Sequence, residues 1–243
     1  MNVLINIGNT HTQVGMEESG TPHLLATYST PEIINGGCIP LLDETTTEWH
    51  AIASSVVPKA THALQKRYGE RMLFLTANDF PTLDLSLMDT STLGIDRICN
   101  AAAALAAVGH GPVAVFDFGT CIASVVIDSR NRLLGGIIAP GRRLLRFALH
   151  EHTAQLPNIP LQAERPEAIG NNTLKAMVAG TDLGILGTAR FLVEETRKAL
   201  NAPHCTVFAT GGDAPYFLKN LDGLSQAPEL LTLRGIISAR TAM

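Results

Sequence analysis

The chain has few aromatic residues and no clustered cysteines, and both shortages limit the kind of protein it encodes. Aromatic residues make up 5 % of its 243 positions, so its core must be built mainly from aliphatic side chains. The four cysteines, Cys38, Cys99, Cys121 and Cys205, lie far apart in the sequence. That spacing fits neither a zinc site nor a disulfide framework, and it favours reduced thiols and a cytoplasmic location.

Signals for export, membrane insertion and nucleic-acid binding are also missing. No apolar run approaches the roughly 20 residues of a membrane-spanning helix. Asn6 and Asn9 interrupt the first apolar stretch, and no basic segment precedes it. The net charge of −4 provides no general attraction for nucleic acid. The sequence therefore predicts neither a membrane nor a nucleic acid as a partner.

Two common nucleotide-binding motifs are absent from the sequence as well. It contains no Gly-x-x-x-x-Gly-Lys segment, which excludes the P-loop class. Gly109-x-Gly111 comes before a predicted strand, whereas the glycine motif of a Rossmann fold follows one. A nucleotide would need a different kind of phosphate-binding loop.

The alternation of predicted strands and helices indicates an α/β protein, and 46 % hydrophobic residues are enough for a substantial core. Three strands stand together at the start of each half of the chain. This pattern predicts two lobes with mixed sheets, formed by residues 1–111 and 112–243. In the first half it predicts a helix over 58–68 that begins at a proline. Further along the chain it predicts one strand over 133–139, another over 229–231 and a final helix over 233–240.

The middle of the chain carries a predicted β-hairpin with a polar turn. An apolar run leads to Asp117, Gly119 and Thr120, and a second apolar run follows. Because an unpaired buried carboxylate is costly, Asp117 is not expected to fill the core. A glycine lets an anion approach the backbone, and Thr120 can donate to phosphate oxygens. Asp117 could simply form the turn, but a carboxylate beside a phosphate loop favours a cation between them.

The same order of residues occurs near the start of the chain. An apolar strand leads to Asn6, Gly8 and a short polar turn, and a second strand follows. Taken alone, this turn is equally consistent with an ordinary hairpin. The repeat at about half the chain length predicts two related lobes. Their hairpin turns, facing each other across a cleft, could hold a triphosphate from both sides.

Asp96 and Arg97 begin an Ala-rich predicted helix. Asp96 could only cap that helix, since Asp is a preferred capping residue. It could instead serve as a general base that accepts a proton from a substrate hydroxyl. Arg97 beside it could pair with a substrate carboxylate through two hydrogen bonds.

Three further groups of polar residues have simple structural explanations. The arginines at 142, 143 and 146 predict a solvated helix face, above all Arg143. Thr173 follows Asn172 at the start of a long helix, where either residue could cap it or Thr173 could reach a ligand. His150 and His152 would point to different faces of a helix, so we expect them at the surface rather than at a metal.

Seven short motifs resemble, in order and spacing, those of the type III pantothenate kinases. They are Asn-Ile-Gly-Asn-Thr (6–10), Gly-Ile-Asp-Arg (94–97), Asp-Phe-Gly-Thr (117–120), Gly-Gly-Ile-Ile-Ala-Pro-Gly (135–141), Leu-Pro (156–157), Ile-Gly-Asn-Asn-Thr (169–173) and Thr-Gly-Gly (210–212). Each is weak alone, and together they span nearly the whole chain. The resemblance implies duplicated actin-like ATPase (ribonuclease H-like) lobes with a cleft between them. It implies ATP-dependent phosphorylation of pantothenate, the first step of coenzyme A biosynthesis, by a homodimer that requires Mg²⁺ and a monovalent cation, K⁺ or NH₄⁺.

The resemblance also implies roles for individual residues. Those matching ATP contacts are Asn6, Gly8, Asn9, Thr10, Thr12, Gln13 and Thr120. Those matching pantothenate contacts are Gly94, Ile95, Asp96, Arg97 and Thr173. Asp96 matches the catalytic proton acceptor, and Asp117 matches the ligand of the monovalent cation.

Three positions depart from the family pattern, and all belong to the presumed active site. Asn6 stands where the family normally has Asp, Cys121 opens a second loop with fewer hydroxyls, and Leu87 aligns with a common Tyr. Because Mg²⁺ relies on only one or two protein carboxylates, Asn6 predicts weaker catalysis. Two alternatives therefore stand beside the kinase. One is an inactive relative that binds nucleotide or acts as a transcriptional accessory protein, and the other is a kinase for a different hydroxylated acid.

Overall fold

The computed structural model describes residues 2–239. Its strands are β1 (Asn2–Ile7), β2 (His11–Glu18), β3 (Thr21–Ser29), β4 (His50–Ser55), β5 (Met72–Phe74), β6 (Val113–Phe118), β7 (Cys121–Ile127), β8 (Leu133–Gly135), β9 (Ile138–Pro140), β10 (Thr206–Thr210) and β11 (Ser225–Gln226). Its α-helices are α1 (Thr30–Gly36), α2 (Pro40–Glu44), α3 (Pro58–Tyr68), α4 (Ile95–Val108), α5 (Arg142–Glu151), α6 (Thr173–Ala199), α7 (Ala214–Asn220) and α8 (Leu231–Ser238).

Contacts divide the described chain into two compact units. The first comprises residues 2–109, 131–133 and 228–239, and the second comprises residues 110–130 and 134–227. The predicted second lobe, 112–243, therefore loses its final helix to the first unit. The reason is close packing of α8 on α4, where a Cβ on Gly235 would meet the Cys99 carbonyl oxygen at 2.0 Å. Thr232 adds a hydrogen bond of 2.8 Å from its hydroxyl to Asn100 Oδ1.

The first unit contains a five-stranded mixed sheet in the order β3-β2-β1-β4-β5. The central strand β1 is antiparallel to β2 and parallel to β4. Alternate residues of β1, such as Val3 and Ile5, are fully buried in a core that also contains Trp49 and Tyr68. Helix α3, which begins at a proline as the sequence predicts, contributes Leu64 to the same core.

The second unit contains a sheet in the order β11-β10-β6-β7-β8, and β9 also pairs with β7. Its central strand β6 is antiparallel to β7 and parallel to β10. If the order of the second sheet is reversed, β8-β7-β6-β10-β11 corresponds strand by strand to β3-β2-β1-β4-β5, so the two sheets have the same topology. Phe116, Phe118 and Phe217 are buried in the core beneath this second sheet. The predicted duplication of mixed α/β lobes is confirmed at the level of topology.

Two predicted strands near the C-terminus are wrong. The strand expected over 133–139 is two short strands, because Gly135 at the end of β8 has a φ of 126°. No strand forms over 229–231, where Leu230 has a φ of 55° and α8 begins at the next residue. Helix α8 consequently starts before the predicted 233, and the last residue of the predicted helix lies outside the described residues.

Helix α6 changes one expectation about membrane spans. Within residues 2–239 it is the single helix long and apolar enough, by length and composition, to cross a membrane, whereas the sequence suggested none. This is weak evidence for a membrane segment, because the core helix of a soluble protein meets the same criterion. Half of the apolar stretch is buried, and Ile185, Ala189 and Val193 pack in the core of the second unit.

All four cysteines fall within the described residues, and none forms a disulfide. Cys99 and Cys205 are buried, and Cys38 and Cys121 are partly exposed.

Candidate functional site

The first hairpin turn follows the central strand of the first sheet. Asn6 is the penultimate residue of β1, where it pairs with Gln13 of β2 on one side and Ser54 of β4 on the other. The turn is closed by a hydrogen bond of 3.0 Å from the Gly8 N–H to the His11 carbonyl oxygen. Asn9 and Thr10 form its exposed tip. The tip can therefore receive an anion on its open side.

Two buried threonines hold this turn from below. The Thr30 hydroxyl lies 2.7 Å from the Gly8 carbonyl oxygen and 2.9 Å from the Thr12 hydroxyl. The Thr30 N–H donates to the Thr10 carbonyl oxygen at 3.0 Å. Thr12 has no exposed surface, and its side chain supports the turn from below. The ATP contact expected for Thr12 stays a prediction.

Asn6 carries a buried oxygen that no described group satisfies. Its Oδ1 atom is buried without a hydrogen-bond partner among residues 2–239. A buried acceptor left unpaired costs about 1–3 kcal/mol, so such an atom calls for a ligand, a water or an ion. The side chain is therefore suited to offer an oxygen to a cation or a water at the base of the turn.

The Gly94–Arg97 motif lies beside this turn within the first unit. The Val56 N–H donates to the Ile7 carbonyl oxygen at 3.1 Å, and Val56 also packs against Gly94. A Cβ on Gly94 would lie 3.2 Å from Val56 Cγ1 and 2.6 Å from Asp96 Oδ1. A side chain at position 94 would therefore press on Val56 and displace the Asp96 carboxylate.

Asp96 occupies the first turn of α4, where its Oδ1 accepts a hydrogen bond of 2.7 Å from the Arg97 N–H. Burial raises the pKa of the Asp96 carboxyl above its usual range, although that hydrogen bond and the Arg97 charge act in the opposite direction. Burial likewise lowers the pKa of the Arg97 guanidinium, against the effect of Asp96. A carboxylate with a raised pKa is a better general base than an ordinary one.

A groove of about 680 Å³ is lined by Gly94 and Ile95 of this motif and by residues 55–58, at the end of β4 and the start of α3. Ser91, Thr92 and His62 supply polar groups. The first unit therefore offers a cavity next to Asp96 in which a small hydroxylated substrate could bind. Leu87, the position of the missing Tyr, is largely exposed and does not line it.

The second hairpin turn has the same position in the second sheet. Asp117 is the penultimate residue of β6 and pairs with Ala123 of β7 and Thr210 of β10. The Gly119 N–H donates to the Cys121 carbonyl oxygen at 2.9 Å and closes a turn whose tip, Thr120, is exposed. This turn thus carries a carboxylate at Asp117 and a hydroxyl at Thr120.

Two glycines from distant parts of the second unit pack against this turn. A Cβ on Gly141 would lie 2.3 Å from the Gly119 carbonyl oxygen. Gly211 has a φ of 95°, and a Cβ there would lie 2.3 Å from Asp117 Oδ1. The backbone at both glycines therefore packs directly against the turn, which leaves no room there for a side chain.

A buried ionic cluster lies behind the second turn, and the sequence did not indicate it. Arg142 donates to both Asp213 and Asp182, and Arg146 donates to both carboxylate oxygens of Asp182 at 2.8 Å. Burial alone would lower the pKa of the Arg142 guanidinium, but its bonds to Asp213 and the nearby carboxylates raise it. The expectation of a solvated arginine face is wrong for Arg142 and Arg146, which are buried, and confirmed for Arg143, which is exposed.

Thr173 is exposed at the first position of α6, and Asn172 caps the helix by accepting a hydrogen bond from the Lys175 N–H at 2.9 Å. Thr173 borders a largely apolar cavity of about 1010 Å³ between α5 and α6.

His152 also lines this cavity, while the His150 ring nitrogen Nδ1 lies 2.7 Å from the Leu156 carbonyl oxygen. Within residues 2–239 no three His, Cys, Asp or Glu side chains form a metal-binding group.

The predicted site residues thus form a set in each unit. In the first unit the structure brings Asn6, the 8–10 turn and the 94–97 motif together through Val56. In the second unit it brings Asp117 and Thr120 together, and places Thr173 on the border of the α5–α6 cavity. The repeated topology, with a polar turn after each central strand, is the duplicated mixed α/β fold expected of the actin-like ATPase class.

Sequence comparisons then define the family. The family model described as type III pantothenate kinase matches residues 2–195. A type III pantothenate kinase of Exiguobacterium sp. is 30 % identical over 97 % of this chain and 96 % of its own length. One of Methylacidiphilum infernorum is 30 % identical over 96 % of this chain and 86 % of its own length. The chain belongs to the type III pantothenate kinase family, whose reaction is the ATP-dependent phosphorylation of pantothenate in coenzyme A biosynthesis.

Solved structures agree on the fold. A Campylobacter jejuni protein assigned to the Baf transcriptional activator family has a TM-score of 0.65 and 19 % identity, covering 98 % of this chain and 96 % of its own. The ethanolamine utilization protein EutJ of Carboxydothermus hydrogenoformans has a TM-score of 0.54 and 16 % identity, covering 97 % of this chain and 88 % of its own. At these identities the likeness concerns the fold alone.

Proposed function

We propose that Asp96 is the proton acceptor in a pantothenate kinase reaction catalysed by this chain. The single observation that carries the proposal is the position of Asp96 at the start of α4, beside the first hairpin turn, with a pKa raised by burial. The family of the chain supports the substrates, ATP and pantothenate. Asp96 takes the proton of the terminal hydroxyl of pantothenate as that oxygen bonds to the γ-phosphorus, and the bond between the phosphorus and the oxygen of ADP breaks.

The two hairpin turns supply the contacts to ATP. In the first turn the exposed residues Asn9 and Thr10 bind phosphate, and Gly8 leaves room for it, because no side chain covers the backbone there. Asn6 and Gln13, which pair across β1 and β2, support the base of the turn. Thr120 binds ATP from the second turn. Such transfer depends mainly on positioning and on neutralising charge, so few catalytic groups are needed.

Cations complete the site, and the residues present fit them in part. Mg²⁺ keeps most of its ligands as water and phosphate oxygens, and the orphan Oδ1 of Asn6 is suited to hold one such water. Asp117 would hold the monovalent cation, K⁺ or NH₄⁺. When bound, the cations neutralise the charge of the transferred group. Because Asn6 brings no negative charge, we propose that the enzyme is slower, or needs more Mg²⁺, than one with Asp there.

Arg97 and Thr173 are the proposed pantothenate contacts beside Gly94, Ile95 and Asp96. A carboxylate is a natural partner for the Arg97 guanidinium. The exposure of Thr173 on the rim of an apolar cavity supports its access to a ligand.

The homodimer remains part of the proposal, and α6 supports it. Two large apolar side chains of this helix, Leu174 and Phe191, are more than half exposed. The same helix carries three exposed glycines, Gly180, Gly184 and Gly187. A Cβ added at any of them would meet no atom within 4 Å. An apolar helix face with small residues allows a second helix to approach closely. We also propose a cytoplasmic location, which the absence of disulfides supports, with neither nucleic acid nor membrane as a partner.

The test is direct detection of phosphopantothenate by mass spectrometry after incubation with ATP, pantothenate, Mg²⁺ and K⁺. Product that disappears in Asp96→Asn supports the proposal. ATP binding without product, even at high Mg²⁺, supports instead the non-catalytic, nucleotide-binding relative that Asn6 suggests. Faster reaction with another hydroxylated acid would support a different substrate.

A further inference from the structure

The strongest feature outside the proposed contacts is the ion pair between Arg142 and Asp213. We propose that this pair positions the second hairpin turn for ATP by tying together the two chain segments that hold the turn. The inference rests on the proposed ATP contact of Thr120 in that turn. It assigns a positioning role to two residues that the family motifs do not include.

The backbone geometry shows how each segment holds the turn. The Gly141 N–H donates to the Thr120 carbonyl oxygen at 3.0 Å, and Gly141 directly precedes Arg142. The Asp213 N–H donates to the Phe118 carbonyl oxygen at 2.8 Å. The turn is thus bonded at one end by the residue before Arg142 and at the other end by Asp213 itself.

The side chains of the same two segments then join. Arg142 Nε donates to Asp213 Oδ2 at 2.7 Å, and its Nη2 atom donates to the other carboxylate oxygen. Such a two-pronged bond fixes both distance and orientation, whereas a single hydrogen bond fixes mainly distance. A loop therefore closes from Thr120 through Gly141, Arg142 and Asp213 back to Phe118.

The arginine is itself immobilised, so it can serve as a fixed point. Its Nη1 donates to Asp182 Oδ2 at 3.0 Å, and its guanidinium carbon lies 3.6 Å from the centre of the Tyr216 ring. Asp182 is fully buried, and Arg146 holds it from the other side. The Asp182 carboxylate, the Tyr216 ring and burial together keep the guanidinium in place, so it does not shift with Asp213. Displacement of Asp213 must break the pair.

The tight backbone packing makes the turn sensitive to small displacements. Gly141 and Gly211 approach the turn so closely that neither position has room for a Cβ. If the pair is lost, the backbone hydrogen bonds to the turn and the pairing of β9 with β7 and of β10 with β6 remain, but the side chains no longer tie the two segments to each other. Binding of ATP should then weaken. Pantothenate binding should not, because none of the residues proposed to contact it belongs to this loop.

The test compares Asp213→Asn with Arg143→Ala, which removes a neighbouring arginine that is exposed on the same helix. In Asp213→Asn we expect the Kd for ATP to rise about tenfold, the effect of losing a charge-assisted bond of about 1.4 kcal/mol. The KM for pantothenate should stay within about twofold of the wild-type value. Hydrogen–deuterium exchange of the Gly141 and Asp213 amides should accelerate. Arg143→Ala should change none of these quantities.

Three outcomes would overturn the inference: unchanged ATP affinity and amide exchange in Asp213→Asn, equal losses of ATP and pantothenate affinity, or a similar effect of Arg143→Ala. Asp213→Glu keeps the charge and should recover part of the ATP affinity, which separates positioning from misfolding. If the wild-type protein binds no ATP, the proposed function fails. The exchange rates still decide whether the pair holds the turn.

Discussion

Asn6 and Asp117 occupy the same place in the two sheets. Each is the penultimate residue of the central strand, paired with an antiparallel neighbour, Gln13 or Ala123. Each also has a parallel neighbour on its other side, in β4 or β10. The duplicated fold therefore carries an amide at one position and a carboxylate at its counterpart. The two turns thus differ in the charge that they carry.

The first prediction concerns Asn6→Asp, which places a carboxylate at the end of β1. Asn6→Asp should raise kcat, or lower the Mg²⁺ concentration for half-maximal activity, by about tenfold, since one added charge close to Mg²⁺ is worth about 1 kcal/mol or more. Steady-state kinetics over a Mg²⁺ series measure both quantities. Asn9→Asp makes the same chemical change at the exposed tip of the same turn and is expected to give no gain. Equal behaviour of wild type and Asn6→Asp would show that charge is not what this site lacks.

The second prediction concerns stability and pH. The pKa of Asp96 is raised in the folded state, so its ionisation opposes folding, and stability falls as pH rises from the ordinary carboxyl range through the raised pKa. Asp96→Asn should therefore have a higher Tm than wild type at pH 7. The difference should shrink towards zero at pH values below the usual carboxyl range, where both states are protonated.

Asp89→Asn is the matched control, because its effect should have the opposite sign. Hydrogen bonds from Ser91 lower the pKa of the exposed Asp89, so the folded state favours its charged form. Loss of that charge should slightly lower the Tm at pH 7. Thermal unfolding of the three proteins at several pH values checks both signs. A lower Tm for Asp96→Asn at pH 7 would contradict the burial of its carboxylate.

The third prediction uses the space beside Asp96. Gly94→Ala places a methyl group against Asp96 Oδ1 and Val56, so it should displace the carboxylate and reduce kcat by at least about tenfold. Gly187→Ala is the control, because nothing lies within 4 Å of its added Cβ and it stands inside α6. That change should leave the fold of a single chain intact, with Asp96 undisturbed, and stabilise it by about 0.5–1 kcal/mol. Normal kinetics for Gly94→Ala would show that the Asp96 position is not critical.

The fourth prediction tests the association of two chains through α6. Gly184 is exposed, with open space around it, so Gly184→Arg should leave the fold of a single chain intact. If the small-residue face pairs with a second copy, the arginine should convert the dimer into a monomer. Light scattering coupled to size-exclusion chromatography measures the mass. Lys198→Arg, a change at an exposed position of the same helix, serves as control. A dimer that persists in Gly184→Arg would place the interface elsewhere.

The sequence predicted those parts of the fold that depend on local patterns. Helix α3 has the predicted bounds because Pro58 starts it, and each hairpin is recognisable from an apolar strand ending in a polar residue and glycine. The positions of Asp96 and Asp117 at element ends followed from the same patterns. Their roles came from the family resemblance, because an N-terminal Asp on a helix is locally indistinguishable from a cap.

The features that the sequence could not predict depend on distant contacts. Arg142 and Asp213 each follow a glycine motif, but only the fold brings the two charges together. The hydrogen bond between the Thr12 and Thr30 hydroxyls likewise forms only in the fold, because the two threonines lie on different elements. Helix α8 belongs to the first unit because Gly235 packs against Cys99. The apolar pattern of a helix does not show which other element it packs against.

The most direct test of the account is the single-turnover rate of phosphopantothenate formation by the wild-type chain and by Asp96→Asn, with equal ATP, Mg²⁺ and K⁺. Removal of a general base typically costs about 10²–10⁴-fold in rate. We predict product from the wild-type chain and a rate at least about 100-fold lower for the variant, with ATP affinity unchanged. Equal rates for the two proteins, or no product from the wild-type chain at saturating Mg²⁺, would contradict the account.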